Sequence, residues 1–99
     1  MSRGARFRPL AQAEFDESTE RYARVDLNLA RRFAFAVRDM VALIADTPDR
    51  FPILEDDIRQ AIVPGFPYSI YYRLRNETVV IIALYHHSRD PDGWRSRIS

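Results

Sequence analysis

Apolar residues recur at three- and four-residue steps in the first half of the chain and crowd into short β-branched and aromatic runs in the second. Between Leu10 and about Val25, the residues Ala11, Phe15, Ser18, Tyr22 and Val25 share one helical face. Glu14, Asp16, Glu17 and Glu20 place negative charge in the early turns, and Arg21 and Arg24 place positive charge in the last. That order complements the helix dipole, and Pro9 stands where a helix tolerates it, at its start. Asp26-Leu27-Asn28 is a short break with a capping residue on either side of Leu27. Ala30, Phe33, Ala34, Val37, Met40, Val41 and Ile44 then form the cleanest helical stripe of the chain, ended by Thr47-Pro48-Asp49. Two helices with so short a connection predict an antiparallel hairpin, with Phe33 and Val37 anchoring it to the rest of the fold.

The remaining segments predict strands. Arg6-Phe7-Arg8 alternates briefly before Pro9 and reads as a short edge strand. Residues 48–57 read as a loop that ends in the acidic triplet Glu55-Asp56-Asp57, and Ile58–Val63 is a strand candidate. Pro64-Gly65-Phe66-Pro67 is a strong break. Tyr68–Arg75 and Thr78–His86 are rich in β-branched and aromatic residues and flank a turn at Asn76-Glu77. A two- or four-residue loop pairs Leu74 with Val79 and Tyr72 with Ile81. It gives one face of Tyr68, Ile70, Tyr72, Leu74, Val79, Ile81, Ala83 and Tyr85 to cover the helices. The other face then shows Ser69, Tyr71, Arg73, Arg75, Thr78, Val80, Ile82, Leu84 and His86, apolar in the middle and basic at one end. A three-residue loop would shift that assignment. The tail from Ser88 is polar except for Trp94 and Ile98 and reads as a loop with at most one helical turn, leaving Trp94 exposed. The expectation is one α+β domain over residues 1–99: a helix hairpin packed on a small, mostly antiparallel sheet, in the order β-α-α-β-β-β.

Charge is distributed unevenly. Residues 10–57 hold eleven acids and six arginines, whereas residues 1–9 and 58–99 are each net positive by three, within an overall formal charge of +1. This predicts a two-sided molecule. All fifteen basic residues are arginine, which fits GC-rich codon usage as well as phosphate or carboxylate recognition by guanidinium forks. The absence of cysteine excludes disulfides, thiolate chemistry and cysteine-based zinc sites. His86 and His87 are adjacent, so on a strand they point to opposite faces and make a poor metal pair; no metal and no cofactor are expected. The glycine-poor loops exclude a glycine-rich phosphate cradle. No apolar run is long enough to span a bilayer, and the first eight residues carry no signal-peptide core, so no membrane partner and a cytoplasmic location are expected.

Several strings then point to a family. Ala30-Arg-Arg-Phe33 opens the second helix, and Pro48-Asp-Arg-Phe-Pro52 follows it. Phe66-Pro-Tyr-Ser-Ile-Tyr-Tyr-Arg73 precedes the hairpin, and Val79-Val-Ile-Ile-Ala-Leu-Tyr-His86 leads into Arg89-Asp90-Pro91. In this order and spacing, over roughly residues 6–95, the chain resembles the RelE/ParE toxins of type II toxin–antitoxin systems. The tyrosine-rich strand ending in Arg73 and the His86 to Asp90 end resemble the ParE branch. The resemblance implies a growth inhibitor of the bacterial cell, held silent by a cognate antitoxin. ParE-like members poison DNA gyrase; RelE-like members are ribosome-dependent endoribonucleases that cut mRNA.

The residues leave both readings open, together with a third in which toxicity is lost and a binding module remains. A gyrase inhibitor needs only a contact surface, for which Arg73, Arg75, Arg89 and Trp94 are candidates. The antitoxin would lie on the apolar and basic sheet face at Tyr71, Arg73, Val80, Ile82 and Leu84. A metal-independent nuclease needs a base for the 2′-hydroxyl, arginines for the phosphate and an acid for the leaving group. Arg59, Arg73, His86 and Arg89 are the candidates for those tasks. RelE-like enzymes usually also carry lysines on this surface, and this chain has none. Each residue also has a plainer role open to it: Arg73 and Arg75 as a solvated strand end, His86 as a half-buried histidine bonded to nearby backbone, Tyr71 as core.

Overall fold

Helix α1 (Pro9–Val25) and helix α2 (Leu27–Asp46) form the expected hairpin in the computed structural model, which describes residues 4–98. The break between them is one residue long. Asp26 is extended (φ −163°) and its carboxylate accepts the Asn28 N–H at 3.0 Å, so it ends α1 and caps α2. The apolar stripe of α2 is buried as its period requires: Ala30, Phe33, Ala34, Val37, Met40 and Ile44 all face the core. On α1 the stripe holds for Ala11, Phe15 and Ser18 but fails at Val25, which ends the helix in solvent.

The sheet has five strands in the order β1-β5-β4-β3-β2: β1 (Ala5–Phe7), β2 (Ile53–Glu55), β3 (Ile58–Ile62), β4 (Tyr68–Arg75) and β5 (Thr78–His86). Only the β1–β5 pair is parallel. The first strand is an edge, as its length and Pro9 suggest. The segment read as a loop supplies the other edge: β2 pairs with β3 through a tight turn at Asp56 (φ 53°), and Ile53 and Leu54 stay exposed. A three-residue edge strand without alternation leaves no periodic signal in the sequence.

The β4–β5 turn is two residues long. Asn76 (φ 51°) and Glu77 (φ 69°) are both left-handed, the geometry that joins twisted strands most directly. Leu74 pairs with Val79 and Tyr72 with Ile81, as expected. Beyond them β5 carries a bulge: Tyr71 pairs with Ala83, so Ile82 is the extra residue. Everything after it changes face. Leu84 turns toward the helices and joins Phe15, Tyr68 and Ile70 in the main core. Ala83 and Tyr85, expected beneath the helices, instead lie on the far face with Tyr71, Ile82 and Ile58.

That far face is covered. Residues Asp92–Arg95 form a single helical turn, α3, and Trp94 lies flat on Tyr71 with ring centroids 4.3 Å apart and planes 14° from parallel. Trp94 is 1% exposed, which corrects the expectation of an exposed tail aromatic. Ion pairs hold this segment across both sides of the sheet: Arg95 to Glu55 of β2 (3.2 Å) and Arg97 to Glu14 of α1 (2.8 Å). Gly93 sits against the Tyr85 hydroxyl, which donates to the Asp90 carbonyl at 2.6 Å, and a Cβ at position 93 would overlap that hydroxyl. Gly93→Ala is therefore expected to lift α3 and destabilise the protein by about 1–3 kcal/mol. An increase in Trp94 fluorescence quenching by acrylamide would report the lift, and an unchanged quenching constant would show that Tyr85 yields instead.

Candidate functional site

Arg73 and Arg75 project from β4 on the far face, next to the hairpin turn, and share one carboxylate. Arg73 donates from Nε and Nη2 to Asp57 Oδ1 (3.2 and 2.7 Å), and Arg75 donates from Nη1 to Asp57 Oδ2 at 2.7 Å. The turn after β2 brings Asp57 there. Partial burial pushes the Asp57 carboxyl up, but the hydrogen bonds from the two guanidinium groups outweigh it and hold the group below the usual carboxylate range. Two arginines against one acid leave one net positive charge, and the Arg75 side chain is 53% exposed. Thus the stretch from Ile58 to Arg75, free of acids in sequence, is compensated by the residue just before it.

The apolar residues expected beside this pair are not free. Val80 and Ile82 are each 1% exposed, and Tyr71 lies beneath Trp94. Leu84 is removed from the face altogether by the bulge and packs under α1. The exposed stripe expected at Tyr71, Val80, Ile82 and Leu84 is therefore corrected to a face occupied by the chain's own C-terminal segment. Ile82→Asp, a change harmless on an open face, would here bury a charge.

Arg89 belongs to a second constellation, at the edge of β5 that β1 leaves uncovered beyond Ile81. Glu14, 9% exposed, accepts from Arg89 Nη1 (2.7 Å), from Arg97 Nη1 and Nη2 (2.9 and 2.8 Å) and from the Leu84 N–H (3.2 Å). Arg97 also donates to the Ile82 carbonyl at 3.1 Å. The two side chains thus satisfy strand groups that no neighbouring strand reaches. Burial raises the Glu14 pKa, but the bonds from Arg97 and Arg89 outweigh it, and the group ends below its ordinary value. Arg89 also lies over the Tyr85 ring, 3.9 Å from its centroid. Sequence reasoning placed Glu14 with the dipole-complementing acids and did not single out Arg97. The only signal was an acid one step from Phe15 on the buried stripe.

His86 follows the bulge onto the helix side, where its ring meets Tyr68 edge-on at 5.0 Å. Its Nδ1 accepts the Ser88 N–H at 3.0 Å, so the neutral ring carries its proton on Nε2. His87 points the other way and meets Ser69 at 2.8 Å. Arg59, opposite Tyr72, lies on the helix side of β3 and donates to the Phe51 carbonyl at 2.6 Å. The Tyr72 hydroxyl, donating to the Pro48 carbonyl at 2.6 Å, is pushed up to about 12 by burial and stays a donor.

The four nuclease candidates therefore do not converge. Arg73 is on the far face and Arg59 on the helix side. His86 pairs with Tyr68, five β4 residues from Arg73, or about 17 Å along the strand. Arg89 is bound into the Glu14 network. Among the described residues no cluster of three or more metal-ligating side chains forms.

Comparison with known proteins follows the same lines. The family model described as the ParE toxin of the type II toxin–antitoxin system parDE matches residues 5–91, nearly the whole described chain. No curated protein sequence matches. Among solved structures, a chain of a chromosomal ParDE TA system from P. aeruginosa superposes with a TM-score of 0.75. The match covers 86% of this chain and 96% of that one, and at 13% identity it speaks to the fold alone.

Proposed function

Because the chain belongs to the ParE toxin family of type II toxin–antitoxin systems, we propose that it arrests growth by binding DNA gyrase through surface contact, with no chemical step of its own, and that its antitoxin silences it by direct binding. The observation that carries the non-catalytic reading is the dispersal of Arg59, Arg73, His86 and Arg89. Cleavage of RNA requires base, phosphate clamp and acid within hydrogen-bond reach of one phosphate. Here the clamp residues lie on two faces, and the histidine lies at the far end of β5 with its acceptor nitrogen already used.

Target contact is assigned to Arg73 and Arg75, with Arg89 as a secondary contact. Asp57 holds the first two guanidinium groups side by side, so little side-chain freedom is lost when they meet an acidic surface. Trp94 serves this surface indirectly, by holding the C-terminal segment against the sheet. A partner protein is implied by the family itself. The antitoxin is assigned to the far face, at Tyr71, Arg73, Val80 and Ile82, where its segment would exchange with α3. Gyrase acts on the chromosome, so the cytoplasm is the assigned compartment; among the described residues no helix is long and apolar enough to cross a membrane.

The test compares supercoiling by purified gyrase with cleavage of ribosome-bound messenger. Supercoiling should be inhibited, with messenger left intact. Arg75→Ala should weaken inhibition about tenfold, the scale of one hydrogen bond to a charged group. His86→Asn should leave inhibition unchanged. Codon-positioned cuts with unaffected gyrase would overturn the proposal.

A further inference from the structure

Outside both constellations, a cleft of about 180 Å³ opens between the last turns of α1 and the adjoining ends of β4 and β5, lined by Ser18, Arg21, Tyr22, Tyr68 and His86. Its lining is made almost entirely of hydrogen-bond donors. Ser18 is 3% exposed and Tyr68 4% exposed as whole residues, but their hydroxyls, which make no hydrogen bond among the described residues, are not sealed from solvent and line the cleft. The Tyr22 hydroxyl likewise makes no hydrogen bond among the described residues, and its ring lies 6.3 Å from that of Tyr68, centroid to centroid. Arg21 forms no ion pair among the described residues. His86 lines the cleft with its Nδ1 already bonded to Ser88, which leaves Nε2 as a donor.

The surrounding charge is mixed, with a small positive excess. A narrower extension of the cleft reaches Glu14, Glu17 and Arg89. Glu14 is neutralised there by Arg89 and Arg97, so the neighbourhood sets three arginines against two glutamates. One net positive charge and five donor-bearing side chains line this small space. We infer that this cleft binds a compact oxyanion, a carboxylate or a phosphate, with Arg21 supplying a guanidinium and Ser18, Tyr22, Tyr68 and His86 supplying further donors. The single net charge suits a monoanion, and the guanidinium fork suits two oxygens held in one plane. The site is separated from Arg73 and Arg75 by the length of β5 and lies on the opposite face, so it stands whether or not gyrase is the target.

The test uses the full chain, with the side-chain N–H signals of Arg21 and His86 followed by NMR at constant pH and ionic strength. Acetate, inorganic phosphate and chloride are titrated separately. Saturable shifts at both residues with acetate alone identify a carboxylate site. Saturable shifts with phosphate alone, or with both, identify a phosphate site or a general oxyanion site. Arg21→Gln should weaken the binding about tenfold or more, and Tyr68→Phe should weaken it by a smaller factor through the loss of one neutral donor. Arg32→Gln, an exposed change on α2, should leave it unaltered. Shifts that do not saturate, that chloride reproduces, or that persist unchanged in Arg21→Gln would overturn the assignment.

Discussion

Phe33→Ala should lower stability by about 3–5 kcal/mol, the range for removing a large aromatic side chain from a filled core. Phe33 is fully buried at the centre of an aromatic cluster. Its ring centroid lies 4.9 Å from that of Tyr22, 5.0 Å from Tyr68, 5.1 Å from Phe66 and 6.1 Å from Phe15. Those rings come from α1, β4 and the β3–β4 loop, so one side chain of α2 ties the hairpin to the sheet and to the loop at its end. Rings held at their edges by other neighbours have little freedom to collapse into the space, and the cavity cost stays high. At about 4–8 °C per kcal/mol for a domain of this size, the thermal midpoint should fall by more than about 12 °C. Phe35→Ala is the internal control. Two residues along the same helix, Phe35 is 68% exposed, and its removal should change stability by no more than about 0.5 kcal/mol. Equal midpoints for the two variants would mean that the hairpin is anchored elsewhere.

That contrast marks what the sequence discloses. The three- and four-residue spacing of Phe33 and Val37 carries their burial, and the Asn76-Glu77 turn with its flanking alternation carries the pairing of Leu74 with Val79 and Tyr72 with Ile81. Alternation cannot disclose a bulge. Ile82 looks like any other member of an apolar run, and one unpaired residue is enough to send Leu84 inward and Tyr85 outward. Nor can periodicity disclose α3. Four residues are barely one helical turn, and Trp94 is a single aromatic among polar neighbours. Its burial follows only from the flat ring of Tyr71 beneath it and from ion pairs to Glu55 and Glu14 that close over long sequence separations. The candidate arginines were visible as residues, but their partners were not. Asp57 and Glu14 decide which guanidinium groups remain available, and both pairings depend on tertiary contact.

Glu14 is therefore the residue whose role lies furthest from its sequence pattern, and its loss should rival that of Phe33. In Glu14→Ala, Arg97 keeps a side chain only 14% exposed with no carboxylate to meet it, and the Leu84 N–H loses its acceptor. Removing one partner of a buried pair costs about 3–5 kcal/mol, because the remaining charge stays desolvated. The Arg89 bond adds less, since that side chain is half exposed and screened. A cavity alone would give a loss independent of pH, whereas an ion-pair network predicts a pH dependence of definite sign. The folded-state pKa of Glu14 lies below its ordinary value of 4.5. Its contribution is accordingly present above the unfolded-state pKa and is lost as pH falls through the lower folded-state value. Asp57 shifts in the same direction and contributes a smaller, more exposed share. Urea unfolding of the parent should thus show stability falling from neutral pH toward pH 3. In Glu14→Gln, which keeps the shape and removes the charge, stability should start lower at neutral pH and fall less steeply. Parallel pH profiles for parent and variant would show that Glu14 acts by packing alone, and Arg97 would then have to find its compensation elsewhere.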